Sequence, residues 1–109
     1  MKNRLILFLI VGVIVISVYI FFFNKKELRL IAMDEIKTHN LKTDCWTTIN
    51  DSVYDLTKFI GMHKGGDKIL AACGTDATDL FTGKSPMGRV HSQIAAKILS
   101  GMKIGDLQK

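Results

Sequence analysis

His63-Lys64-Gly65-Gly66 and Gly88-Arg89-Val90-His91-Ser92 frame the stretch that decides how this chain folds. Between them runs Ile69-Leu70-Ala71-Ala72-Cys73-Gly74-Thr75-Asp76-Ala77-Thr78-Asp79-Leu80-Phe81, mostly apolar and helix-prone. Two imidazoles separated by an apolar wall can clamp a flat iron macrocycle from both faces. With both axial positions filled, oxygen has no open site and the iron mainly changes oxidation state. Each imidazole needs its other ring nitrogen held, most simply by a backbone carbonyl near a helix end. Gly65 and Gly66 let the chain turn sharply and approach the macrocycle. Leu56, Phe59, Ile69, Leu70, Phe81 and Ala95 are apolar candidates for the pocket walls.

Short elements surround this stretch. Residues 34–40 read as a helix, with Asp34 and Glu35 in the first turn and Asn40 able to end it. Trp46-Thr47-Thr48-Ile49 is a β-rich run, Asn50-Asp51-Ser52 a turn signal, and Val53-Tyr54-Asp55-Leu56 a returning strand. Thr57-Lys58-Phe59-Ile60 starts a short helix capped by Thr57 or Asp55. Helices are expected over 67–73, ended by Gly74, and over 77–82. Residues 83–88 hold the only proline and form a loop. Residues 92–100 are helical, with Ile94, Ala95, Ile98 and Leu99 spaced for one buried face. Residues 104–107 close the chain. The pattern is α+β, with short helix pairs around a cleft on a small mixed sheet.

The N-terminal quarter is different. The 19 residues 5–23, from Leu5 through Phe23, carry no charge. As a helix they reach roughly 28 Å, close to the hydrocarbon thickness of a bilayer. A domain this small could hardly surround such a helix as a core element. A cleaved signal peptide would have a shorter apolar region and a small-x-small site after it. The expectation is a single-pass anchor over 1–24, a juxtamembrane connector over 25–32 and a domain over 33–109. Lys2 and Arg4 lie before the span and Lys25, Lys26 and Arg29 after it, so the flanking charges nearly balance and leave the side of the membrane open.

The net charge of +5 belongs mostly to those flanks. Residues 30–109 hold ten basic and nine acidic side chains, about +1, with no basic stripe that would fit nucleic acid. Cys45 and Cys73 can pair only in an oxidising compartment. Free buried thiols acting as small hydrophobes are the expected state. Without Cys-x-x-Cys-His, covalent haem attachment is not expected. Zinc is the competing metal, but His39, Cys45, His63, Cys73 and His91 do not fall at zinc-knuckle spacing.

These residues carry a family likeness. Glu35-Ile36, His39-Asn40, Cys45-Trp46, residues 53–59, His63-Lys64-Gly65-Gly66, Gly74-Thr75-Asp76-Ala77-Thr78, Phe81, His91-Ser92 and Ile104-Gly105-Asp106-Leu107 occur in order. Over about 33–107 the chain resembles the cytochrome b5 haem-binding domain. The resemblance implies non-covalent haem b in a cleft between two helix pairs, with His63 and His91 as axial ligands. It implies that Ile49, Leu56, Phe59, Leu70 and Phe81 line the pocket and that Ser92 can bond a haem propionate. Trp46 and Tyr54 would belong to the scaffold.

Three departures stand out. Lys64 replaces the proline of the family's usual His-Pro-Gly-Gly. Nine residues separate Phe81 from His91, more than in familiar microsomal members, so the 83–88 loop either covers the haem edge, contacts a partner or is a tolerated surface insertion. The anchor is N-terminal, whereas microsomal members carry theirs at the C-terminus. The expected function is that of a membrane-tethered b-type cytochrome carrying single electrons between redox proteins. The alternative is a haem-binding module for sensing, storage or delivery. No flavin or nicotinamide motif and no nucleophile–base set points to an enzyme. Any oxidase, desaturase or reductase it serves would lie in another chain.

Overall fold

A computed structural model describes residues 1–24 and 29–109. The flanking lysines Lys25 and Lys26 lie outside the described residues. Helix α1 (Lys2–Phe23) contains no buried residue and is the one described helix long and apolar enough to cross a bilayer.

The domain is built on a six-stranded mixed sheet: β1 (Leu30–Ile31), β2 (Asn40–Leu41), β3 (Asp44–Ile49), β4 (Ser52–Asp55), β5 (Thr75–Asp76) and β6 (Lys103–Leu107). The order is β1-β6-β4-β3-β2, with β5 beside β3. The β1–β6 and β3–β5 pairs are parallel and the others antiparallel. Leu30 and Ile31, expected in the connector, thus form a sheet edge. The hairpin β3–β4 turns through Asn50 and Asp51, at φ 49° and 64°. Both lie in the left-handed region that a two-residue hairpin loop demands and that Asn and Asp tolerate. Lys103 donates to Asp106, three residues on along β6, and with Ser52 it holds that carboxyl below the usual carboxylate range.

Alternation along β3 divides the interior. Cys45 and Ile49 face one cluster, with Leu56, Ile60, Ala72, Cys73, Ala77 and Leu99. Trp46 packs against the other, formed by Ile31, Ile36 and Val53. Helix α2 (Met33–Thr38) covers this second cluster through Ile36 and ends before Asn40, which enters β2 instead of closing the helix. The first cluster carries the histidine-bearing segments: the 3-10 helices η1 (Ile60–Met62) and η2 (Gly66–Ala72), then α3 (Thr78–Thr82) and α4 (Gln93–Ser100).

The helix expected over 67–73 is present, wound as the 3-10 helix η2. Two other expectations are corrected. On α4 only Leu99 is buried. Ile94 is 74% exposed and Ile98 47%. The cysteines are not free: Cys45 and Cys73 form a disulfide. They are 28 residues apart, but β3 and the end of η2 bring their Cα atoms to 4.7 Å, well inside the bridging range.

Candidate functional site

His63 follows η1, at φ −69° and ψ 119°. Its carbonyl accepts from the Gly66 amide at 2.9 Å, closing a turn with Lys64 and Gly65 in the middle. Gly65 sits at φ −76°, ψ 0°, and Gly66 at φ +66°. Within the turn, the His63 Nδ1 donates to the Gly66 carbonyl at 3.1 Å. A Cβ on Gly65 would lie 2.7 Å from the His63 Cε1 and 3.2 Å from Nδ1. The two glycines therefore have different tasks: Gly66 supplies the left-handed backbone and Gly65 makes room for the imidazole itself. The sharp turn expected of this pair is present, with its positive φ at Gly66.

Gly65→Ala should push the His63 ring out of place. Binding of haem by the purified protein is expected to weaken about tenfold or more, a loss of the size seen when groups that orient a ligand are removed. A haem titration reads this directly, and unchanged affinity would mean the ring position is not critical.

The same turn explains Lys64. A turn of this shape favours proline at its second position, and an extended His63 suits a following proline. Lys64 is exposed and its amide makes no hydrogen bond among the described contacts. Lys64→Pro is therefore expected to raise stability by about 0.4–1 kcal/mol, through the unfolded chain. Denaturant unfolding would measure it. A loss would show that the turn is not preformed for proline.

His91 precedes α4 and is held differently. Its Nδ1 donates to the Phe81 carbonyl at 2.9 Å, its backbone amide reaches the same oxygen at 3.3 Å, and its ring stacks on Phe81 with centroids 4.4 Å apart and planes within 9°. A carbonyl only accepts, so both histidines carry a proton on Nδ1, and Nε2 is left as the lone-pair donor when the ring is neutral. The two ring centroids lie 6.4 Å apart, with planes 26° from parallel. Two imidazoles bound on opposite sides of one metal ion, each with a nitrogen–metal bond of about 2 Å, place their ring centres roughly 6 Å apart. The donor set and its spacing thus fit an iron macrocycle.

The other site residues fall around this pair. Ile49 and Leu56 are buried in the cluster beneath, with Ile69, Leu70 and Phe81 packed against it. Phe59 stands edge-on to His63, centroids 6.0 Å apart. Ser92 caps α4, its hydroxyl oxygen accepting from the Ala95 amide at 3.2 Å; the hydroxyl proton stays available to an acceptor in the cleft. Met102, not foreseen, packs against the same cluster, as does Tyr54. An apolar side chain just past the Gly101 that ends α4 was the available signal for Met102. The zinc alternative loses its ligands: both cysteines are bridged, and His39 bonds Asp44 at 2.7 Å while stacking on Trp46.

This fold and site define a class: small α+β domains that take haem in a cleft beside one sheet. Within that class, the chain belongs to the cytochrome b5 family. The family model for the cytochrome b5-like heme/steroid binding domain matches residues 32–108. Cytochrome b558 of Ectothiorhodospira vacuolata, a prokaryotic homologue of cytochrome b5, superimposes with TM-score 0.69 at 34% identity, covering 73% of this chain and 99% of that one. Cytochrome b5 of Nicotiana tabacum is 40% identical over 82 residues, covering 74% of this chain and 57% of that protein. The acyl-lipid (8-3)-desaturase B of Dictyostelium discoideum is 42% identical over 69 residues, covering 62% of this chain but only 15% of that protein. The chain thus spans little more than half the length of the tobacco protein and a small part of the desaturase. The cofactor of the domain is haem b, held without a covalent bond.

Proposed function

We propose that this chain is a membrane-anchored b-type cytochrome that carries single electrons, with His63 and His91 as the axial ligands of its haem. The observation that carries this reading is the imidazole pair, 6.4 Å between centroids, each tethered through Nδ1 to a backbone carbonyl. Haem supplies the one-electron couple. The residues orient the two donors, and the apolar bed of Ile49, Leu56, Phe59, Leu70, Phe81 and Ala95 excludes water, which tunes the potential. Gly65 and Gly66 shape the His63 turn, and Ser92 bonds a propionate. Helix α1 supports the anchor: it carries no charge from Leu5 to Phe23 and has no buried residue.

The test is spectroscopic. Purified protein loaded with haem should show a six-coordinate low-spin spectrum in both oxidation states and cycle reversibly. A five-coordinate or high-spin product would end the reading. Transfer of haem to an apo-acceptor faster than electron exchange would favour the delivery module instead. Recovery of the chain from membranes washed with alkaline carbonate tests the anchor.

The partner is another protein, and charge points to its character. Six basic residues accompany the haem-side segments, Lys58, Lys64, Lys68, Lys84, Arg89 and Lys97, against the acids Asp67 and Asp79. None of the six forms an ion pair among the described residues. Elsewhere in the domain Arg29, Lys37, Lys42, Lys103 and Lys109 are each paired with an acid. An acidic partner surface would be drawn to this side. Oxidation of the reduced protein by hexacyanoferrate(III) is expected to slow a few-fold between about 10 and 150 mM salt, as screening removes the attraction. Stopped-flow mixing measures it, and a rate that rises with salt would reverse the sign of the inferred field.

A further inference from the structure

The flanking charges of α1 leave its orientation balanced, but the disulfide does not. Cys45 is fully buried in β3 and Cys73, which follows η2, is 6% exposed. The backbone brings them together without help from the bond. The Gly74 amide donates to the Trp46 carbonyl at 2.7 Å, and β5 pairs in parallel with β3 through Thr75 and Thr47. These contacts lock the residues next to each cysteine side by side. The folded domain therefore holds its sulfurs at bonding distance. Burial also means the bond must form while the chain is folding, in the compartment where it folds.

We propose that the haem domain folds on the oxidising side of its membrane, with Met1, Lys2 and Arg4 left on the reducing side. Its electron traffic then runs on the extracytoplasmic face. Disulfides persist in such compartments and are kept reduced in the cytosol. The bond forms by thiol–disulfide exchange with a disulfide-bearing oxidant. Cys45 and Cys73 together lose two protons and two electrons, and the oxidant leaves as a dithiol. The disulfide stands without the anchor; the orientation rests on the reading of α1 as a retained anchor.

The test uses the full chain in the inner membrane of a bacterial host. Cells are quenched with N-ethylmaleimide, and the sample is then treated with or without reductant and labelled with polyethylene-glycol maleimide. A two-label shift appearing only after reduction is expected. Thiols already blocked by the quench, giving no shift, would overturn the proposal. A membrane-impermeant amine reagent should label the domain lysines equally in intact and lysed spheroplasts. Labelling that appears only after lysis would also overturn it, as would a bridged chain found soluble with α1 removed. The haem spectrum of the same membranes reports separately on the electron-carrier reading. Free thiols beside a low-spin haem would sink the orientation alone, and bridged thiols with no low-spin haem would sink the carrier alone.

Discussion

Replacing His63 or His91 with alanine is expected to convert a six-coordinate low-spin haem into a five-coordinate high-spin one, and the double replacement to abolish specific haem binding. The centroids of the two rings lie 6.4 Å apart. Each has one nitrogen committed to a carbonyl and the other unengaged. Removing one leaves an open axial position, which water or a diatomic ligand can enter. The single variants should therefore gain carbon monoxide binding in the reduced state, while the parent shows none. His39→Ala is the control. That ring is engaged with Asp44 and Trp46 on the far side of β3, so its loss should lower stability and leave the haem spectrum unchanged. Absorption and electron paramagnetic resonance spectra decide the matter. A low-spin spectrum kept by both single variants would remove His63 and His91 from the site.

The turn after His63 and the helix cap after His91 were legible in the sequence because both are local. Gly65-Gly66 follow His63 directly, and Ser92, which caps α4, follows His91. The β3–β4 hairpin was legible for the same reason, since Asn50-Asp51 encodes its own turn. Features that depend on distant packing were not. The stripe Ile94, Ala95, Ile98, Leu99 has helical spacing, and the helix exists, but periodicity does not say how much of a stripe the core reaches. Only Leu99 is buried. Ile98 is half-exposed. Leu30-Ile31 is too short to read as a strand and gains its hydrogen bonds only from β6, the last element of the chain.

The disulfide is the largest such long-range effect, and its removal carries the second large prediction. Reduction, or the pair Cys45→Ala and Cys73→Ala, is expected to cost about 3–4 kcal/mol, from the chain entropy of a loop of 28 residues. For a domain of this size that lowers the melting temperature by roughly 15–25 °C. The loop holds more than its length implies: β4, η1, His63, the Gly65-Gly66 turn and η2 all lie between the two cysteines. Opening it should free the His63 arm first, because the second cluster keeps Ile31, Ile36 and the β1–β6 edge anchored outside the loop. Amides of residues 60–73 should then exchange with solvent faster than those of β6, and haem should dissociate sooner from the reduced protein than from the bridged one. Thermal unfolding and haem release, each with and without reductant, measure both effects. A change below about 1 kcal/mol would place the stability in the packing of the two sulfurs instead of the closed loop. A uniform rise in exchange would mean that the domain opens as one unit, with no separate His63 arm.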